Sequence, residues 1–525
     1  METVLEADSS LTYLGSVGFV SQVRLALVFV TAWLVVWLLQ EHTGLSRRLR
    51  GSPTVNLPPG PWGWPLLGIL PSLGVSAPHE RLAALAGEYG GLFTCYFGGH
   101  RVVVLGDYDC IVQALGKSGD VYSDRPKLTM FTEVGGGKGV AGAYYGKHWK
   151  EQRAWTFNIL RGMGLGKDTF EANITEEVGY LCDRVNAHQS QAFDPCHPVN
   201  TAVSNIICSI VYGTRFDYDS ATFKRMLSLL QENFELVGLA GVVNFFPVLK
   251  YIPLCGFGKF LANVRELNTC LFSKSISEHQ MTFDQGKIRD FIDAYLKEMR
   301  MRSDGGETPS SFTEENLTWV IADLFAVGTE TTALTLRWAL LYMITHPHVQ
   351  RKVQEELDEV IGRTRMPSLE ERPLLNYAQA VINEIQRVRY IAAITVPRAT
   401  TEDSKLNGYD IPKGTTIMPV MWAVMHNPKV WPEPDHFRPE RFLDDRGRYR
   451  KPEHFLPYGI GRRMCPGERL ARMELFLFFT HLLHRFSFSL PLGAPQPSLK
   501  GRMGITLAPQ PYRLVARSRP LEESG

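Results

Sequence analysis

A chain of 525 residues with 44% hydrophobic and 21% charged side chains has ample material for a large core, which excludes a disordered, collagen-like or disulfide-stapled protein. Its 56 basic and 54 acidic residues leave a net charge of +2, too balanced for a nucleic-acid binder that works by counterion release. Eight cysteines without a CxxC exclude a zinc ribbon and point to a reduced compartment, where most serve as small buried hydrophobes.

Residues 25–39, LALVFVTAWLVVWLL, carry no charge. At 1.5 Å per residue they reach roughly 22 Å, and extension back to Phe19, with Arg24 snorkelling to the interface, gives a full span. The start is acidic (Glu2, Glu6, Asp8), and the basic cluster Arg47, Arg48 and Arg50 follows the run. That asymmetry predicts an uncleaved anchor with its C-terminal side in the cytosol, rather than a signal peptide, a mitochondrial presequence or a buried core helix. A cytosolic body makes the glycosylation sequons at Asn173 and Asn316 chance matches. Leu57-Pro58-Pro59-Gly60-Pro61, then Trp62, Trp64 and Pro65, predict a stiff extended linker, because proline lacks an N–H and restricts its predecessor. The expected organisation is an anchor over 1–50, a proline-rich linker over 51–71 and one large domain over 72–525.

Residues 92–105 alternate around Gly98-Gly99 and predict a hairpin. Residues 127–145, with Gly135, Gly136, Gly137 and Gly139, read as a loop. Their GGGKG lacks the G-K-[ST] of a phosphate loop. Most of 147–390 carries helical periodicity, as in Val349, Val353, Leu357 and Val360, closed by Gly362. Residues 400–420 hold Asn407-Gly408 and Pro412-Lys413-Gly414, again short strands and turns. The fold class expected is mainly α with minor β.

Ser311 and Glu314 fit a capping box, and no proline intervenes from about Thr313 to Thr345, where His346-Pro347 stops the run. A helix of roughly 33 residues and ~50 Å would cross a whole domain. Its centre reads Phe325-Ala326-Val327-Gly328-Thr329-Glu330-Thr331-Thr332. A mid-helix Gly costs about 1 kcal/mol relative to Ala, and Thr hydroxyls bond back to the i−4 carbonyl. Two readings stay open: a functional site, or a Gly–Thr packing contact with another helix.

Residues 457–469 read Pro-Tyr-Gly-Ile-Gly-Arg-Arg-Met-Cys-Pro-Gly-Glu-Arg, continuing as LARMELFLFF. Pro466 suits the start of a helix, so Cys465 is placed at a helix N-terminus among Arg462, Arg463 and Arg469. Dipole and cations both favour thiolate, the metal-ligating form. One thiolate with no second ligand nearby suits haem iron, whose porphyrin supplies four donors. A nucleophilic cysteine with a His base close to it in space stays open.

Tyr458-Gly-Ile-Gly461-Arg-Arg463-Met-Cys465-Pro-Gly467 resembles the cysteine signature of the cytochrome P-450 family, F-x-x-G-x-R-x-C-x-G. Val327-Gly328-Thr329-Glu330-Thr331-Thr332 is similar to its oxygen-binding helix motif, [AG]-G-x-[DE]-T-[TS]. Glu384-Ile-Gln-Arg387 resembles its ExxR pair, Pro439-Glu-Arg441-Phe442 its PERF element and Trp149-Lys-Glu-Gln-Arg153 its WxxxR element. The five motifs keep family order from about residue 57 to 516, and the LARMELFLFF and KEQR contexts look most like animal microsomal enzymes of the family-two clan. Three positions depart from the pattern: Tyr458 stands for the usual Phe, Val327 for Ala or Gly, and Pro466 follows the cysteine directly.

The resemblance implies the cytochrome P-450 fold, with the long helix crossing over a haem b (iron protoporphyrin IX). It implies Cys465 as axial ligand, with Gly461 and Gly467 letting the backbone pass under the porphyrin and offering N–H groups to sulfur. Arg463, Arg153, Trp149 and Arg398 would hold the haem propionates. Thr331 would hold a water near dioxygen, and Glu330 would feed protons inward. Glu384, Arg387 and Arg441 would form a structural triad behind the cysteine loop. The implied activity is insertion of one oxygen atom into a small hydrophobic substrate. Electrons would come from NADPH through a flavoprotein reductase, with a cytochrome b-type protein as a possible second donor and Lys147, Lys150, Arg462 and Arg472 as docking face. The implied location is the endoplasmic reticulum membrane, single-pass, facing the cytosol and in contact with lipid, with no nucleic-acid partner. Pocket walls are expected at Phe131, Phe325, Ala326, Val327, Ile394 and Val396, and a membrane-dipping channel mouth at Phe245–Leu249. Competing readings are a haem-thiolate isomerase or dehydratase acting on hydroperoxides, which needs no proton relay, and a non-enzymatic membrane haem carrier or sensor.

Overall fold

The computed structural model describes residues 55–74, 76–163, 168–306 and 310–519, with Val28, Thr31 and Ala32. Apart from those three positions, the anchor reading lies outside the described residues. Among the described residues no helix is long and apolar enough to cross a membrane.

The elements that build the site are five helices and one sheet. The helices are α1 (Lys147–Gly162), α2 (Cys196–Tyr212), α3 (Glu314–Thr345), α4 (Asn376–Val388) and α5 (Glu468–Arg485). The sheet has β1 (Leu92–Phe97) and β2 (His100–Leu105) as an antiparallel hairpin that turns at Gly98-Gly99. Strand β3 (Arg398–Ala399) lies antiparallel to β4 (Thr416–Pro419), which runs parallel to β2. The helices bury one core and the sheet another. The architecture is α+β, as expected, and the glycine loop before α1 contains a short helix, Thr129–Val134.

Helix α3 has 32 residues. Its cap is Thr313, whose side chain accepts from Asn316 N at 3.1 Å. The expected capping residue, Ser311, instead bonds Glu151 and accepts from Gln152 at 3.0 Å, because α1 passes beside it. Asn316 is buried and accepts from Gly139 N at 3.0 Å, so no glycan could reach it.

The central glycine of α3 is a packing contact. A Cβ on Gly328 would come within 2.6 Å of Ile207 Cδ1 on α2. The cost of glycine in mid-helix is offset by this close helix approach.

The proline-rich segment is docked on the body. Pro59 O accepts from Thr94 N at 2.8 Å, Ile69 N donates to Tyr96 O at 2.8 Å, and a Cβ on Gly60 would strike Thr94 O at 1.8 Å. It lies along β1, the outer strand of the sheet, and satisfies an edge that would otherwise template aggregation.

Candidate functional site

The cysteine loop is shaped by glycines. Gly461 has φ +80, and a Cβ there would lie 1.7 Å from Leu115 O, so only glycine fits both the conformation and the approach. Cys465 N donates to Tyr458 O at 3.0 Å and Met464 N to Gly461 O at 3.0 Å. The loop closes two residues before α5, with Gly467 as cap. Burial pushes the Cys465 thiol up, while the Gly467 N–H and the Arg153 guanidinium pull it down. The cation acting on sulfur therefore comes from α1. Of the sequence neighbours expected to do so, Arg462 pairs with Asp120 at 2.9 Å and Arg463 is turned to backbone carbonyls, because the loop points both side chains away from the thiol.

Four guanidiniums gather beside the loop. Arg463 donates to Ser123 O (2.9 Å), Val140 O (3.2 Å) and Ala143 O (2.6 Å). Arg125 donates to Ala141 O at 2.9 Å and Pro397 O at 2.7 Å. Arg153 donates to Met464 O, and Arg398 to Ile460 O at 3.4 Å. Trp149 commits its single N–H to Val140 O at 3.0 Å and meets the cluster through its ring, 4.1 Å from Arg463 and 5.5 Å from Arg153.

This grouping is electrostatically expensive. Burial and mutual repulsion lower Arg463 to about 9 and Arg398 to about 10, and hold Arg125 well below its ordinary value. Arg398 Nη1 is buried without a partner. Buried cations with an orphaned donor call for anionic charge. A planar group bearing two carboxylates, beside a cysteine whose sulfur could ligate, answers that need, so the residues present fit haem. Arg125 escaped the sequence reading because it belongs to none of the motifs quoted there; its only signal was a lone Arg before Pro126.

One face of α3 turns to this place. Asp323, Val327 and Thr331 recur every four residues and share a face. Asp323 accepts from Val140 N (2.7 Å) and Ala141 N (2.9 Å), which places the stripe over the arginine-bound loop. Val327, mid-helix in a buried region, is 44% exposed, as Val396 is at 43%. Thr331 Oγ1 donates to Val327 O at 2.8 Å. Glu330 is buried, and burial, reinforced by Glu235 and opposed by Arg337, raises it to about 7. Phe325, expected as a pocket wall, is fully buried, 6.1 Å from Phe272. Two residues turn a helix by about 200°, so it faces the core opposite Val327.

Behind the loop, Glu384 and Arg387 are fully buried, with Oε2–Nε at 2.7 Å and Oε1–Nη2 at 2.8 Å. Arg441 Nε lies 3.3 Å from Glu384 Oε1, and Arg387 also donates to Met425 O at 2.9 Å. Glu474 of α5 was missed in the sequence. It is buried against Thr332 of α3, and burial raises it to about 8, so at neutrality it ties α5 to α3 largely as an uncharged acid.

The expected channel mouth divides. Phe245 packs on Phe97 at 5.1 Å, while Val248 (69%), Tyr251 (77%) and Leu254 (88%) are exposed. Gly98 N donates to Leu67 O at 3.1 Å, and a Cβ on Gly98 would touch Phe246 at 3.2 Å. The exposed Trp62, Trp64 and Leu66 near Leu67 thus belong to the same side.

The family model for cytochrome P450 matches residues 58–516. The chain is 41% identical over 498 residues to human "Cytochrome P450 2U1", covering 90% of each protein. It is 41% identical over 472 residues to "Cytochrome P450 2D3" of Rattus norvegicus, covering 89% of this chain and 94% of that protein.

Proposed function

The chain belongs to the cytochrome P450 family, and from that premise we propose a membrane-held enzyme of the endoplasmic reticulum, fed electrons from NADPH by a reductase, that oxidises an elongated apolar substrate with one polar end. The family makes it a haem-dependent monooxygenase acting on small hydrophobic molecules. The observation that carries the site reading is the cluster of buried Arg125 and Arg398 with half-buried Arg153 and Arg463 next to the Cys465 loop, with Arg398 Nη1 unpartnered.

Haem, when bound, supplies dioxygen activation, and a Cys thiolate ligand favours O–O cleavage. Cys465 would hold the iron, with the Gly467 N–H tempering the sulfur. Arg398, Arg153, Arg463 and Arg125 would receive the propionates, with Trp149 stacking under two of them. Thr331 would hold a water by its oxygen lone pairs. Glu330, poised near neutrality, would take protons from the Arg337 side and pass them toward that water. Such a relay is of use to an oxygenase and not to an isomerase or a haem carrier. Val327 would narrow the space over the reacting centre and favour a slender substrate end.

The exposed side that joins Trp62 and Trp64 to Tyr251 and Leu254 supports a lipid-facing surface. Lys150 and Arg462 both pair with Asp120, a basic rim suited to an acidic reductase. The test is reconstitution with reductase and NADPH across fatty acids, sterols and xenobiotics. NADPH-dependent product from chain-like lipids supports the reading. Turnover of hydroperoxides without NADPH, and none with it, would overturn it.

A further inference from the structure

Where the cysteine loop meets α4 and α5 there is a cavity of about 20 Å³, room for one small species. Arg372, Gln379, Asn383, Gln386, Tyr458 and Arg472 supply its polar wall, over a floor of Leu475 and Phe476.

The charged side chains of that wall are both guanidiniums, and its acceptors include only neutral amide and phenol oxygens. The Tyr458 hydroxyl accepts from Gln386 Nε2 at 3.0 Å, which leaves its own proton to give. Arg372 gives Nε to Gln379 Oε1 at 3.4 Å, and its terminal nitrogens meet no protein acceptor among the described residues. Arg472 gives Nε and Nη2 to Glu468 Oε1, each at 2.9 Å, and keeps Nη1. The same Arg472 lies 4.8 Å from the Tyr458 ring.

Charge points the same way. The carboxylate beside Arg472 and Lys451 is Glu468, which is already engaged with Arg472. Arg472 repels both Arg372 and Lys451 and, with burial, lowers each below its ordinary value. A neutral water would satisfy donors but leave that repulsion in place, whereas an anion answers both.

We propose that this cavity is a binding site for a small monovalent anion, of halide or formate size, held by Arg372, Arg472 and the Tyr458 hydroxyl. The cavity is too small for a phosphate ester. Tyr458 is where the family signature has Phe, so the hydroxyl that completes the site belongs to this chain's departure from the pattern. Tyr458 also gives its carbonyl to Cys465 N, so an anion seated on its ring end braces the loop that carries the cysteine.

The probe is chloride, titrated into the full-length haem-loaded protein in detergent at constant ionic strength, with gluconate as the bulky replacement. Two quantities are read: the chloride nuclear-resonance line width and the thermal midpoint. Wild type should broaden the chloride line and melt higher in chloride than in gluconate. Arg372→Gln and Tyr458→Phe should each lower the excess line width about twofold or more and shrink the melting gap alike, by mass action on a weakened site. Arg462→Gln, whose guanidinium belongs to Asp120, should match wild type. Equal broadening in wild type and both site variants, or no chloride–gluconate gap in wild type, overturns the proposal. Tyr458→Phe carries the test by itself if Arg372→Gln fails to fold, since it installs the family's usual side chain.

Discussion

Thr331 and Val327 are joined by a hydrogen bond of 2.8 Å, from the Thr331 hydroxyl to the carbonyl one turn back along α3. The proton is thereby committed to the helix, and the oxygen lone pairs face outward to accept from a water. Thr331→Ala should keep fold and haem but waste electrons. Product per NADPH consumed should fall about tenfold, equivalent to about 1.4 kcal/mol on the partition. An unchanged ratio would make the threonine a packing residue only.

Glu330 gives a pH-dependent test. Burial raises it from 4.5 to about 7, so the folded value lies above the unfolded one. Its stabilising contribution is then complete below about pH 4.5 and is lost as pH rises through about 7. Relative to Glu330→Gln, wild type should lose on the order of 3 kcal/mol between pH 4.5 and pH 8, since one pKa unit is about 1.4 kcal/mol. Urea unfolding at both pH values measures it, and parallel pH slopes for the two proteins would contradict it. Product per NADPH should fall above pH 7 in wild type and be low and flat in the variant.

Cys465→Ser should abolish the red-shifted Soret band of the ferrous carbon monoxide complex, because a neutral hydroxyl is a poor substitute for thiolate. A normal thiolate spectrum in that variant would remove Cys465 from the site.

Val327→Ala should widen acceptance toward bulkier substrates. The side chain is 44% exposed at the centre of a largely buried helix, on the face that carries Thr331. Binding spectra and oxidation rates over a size-graded ligand series measure the change. Identical profiles would sink both the Val327 argument and the slender-substrate proposal.

Deletion of residues 1–50 should leave residual membrane affinity, carried by Trp62, Trp64, Tyr251 and Leu254. Flotation with liposomes should show partial binding, and Leu254→Ser with Tyr251→Ser should weaken it further. A truncated protein that stays wholly out of the lipid fraction would refute the lipid-facing surface.

The sequence determined what depends on short spacing. Proline-free length set α3 to within a residue, Gly98-Gly99 set the hairpin turn, and the i,i+3 spacing of Glu384 and Arg387 put the pair on one side of α4. Tertiary structure decided everything that depends on distance across the chain. Arg153, hundreds of residues before Cys465, acts on the sulfur, whereas Arg462 next door does not. Arg125 joins the cationic cluster with no motif to mark it. Gly328 answers to Ile207, Phe325 turns into the core while Val327 faces the site, and Phe245 packs on Phe97 while Leu254 is exposed. The reason is physical: helix length and turn type follow from local dihedral preferences, while Coulomb energy, desolvation and close packing depend on which groups end up within a few ångströms. Only the folded chain sets those neighbours.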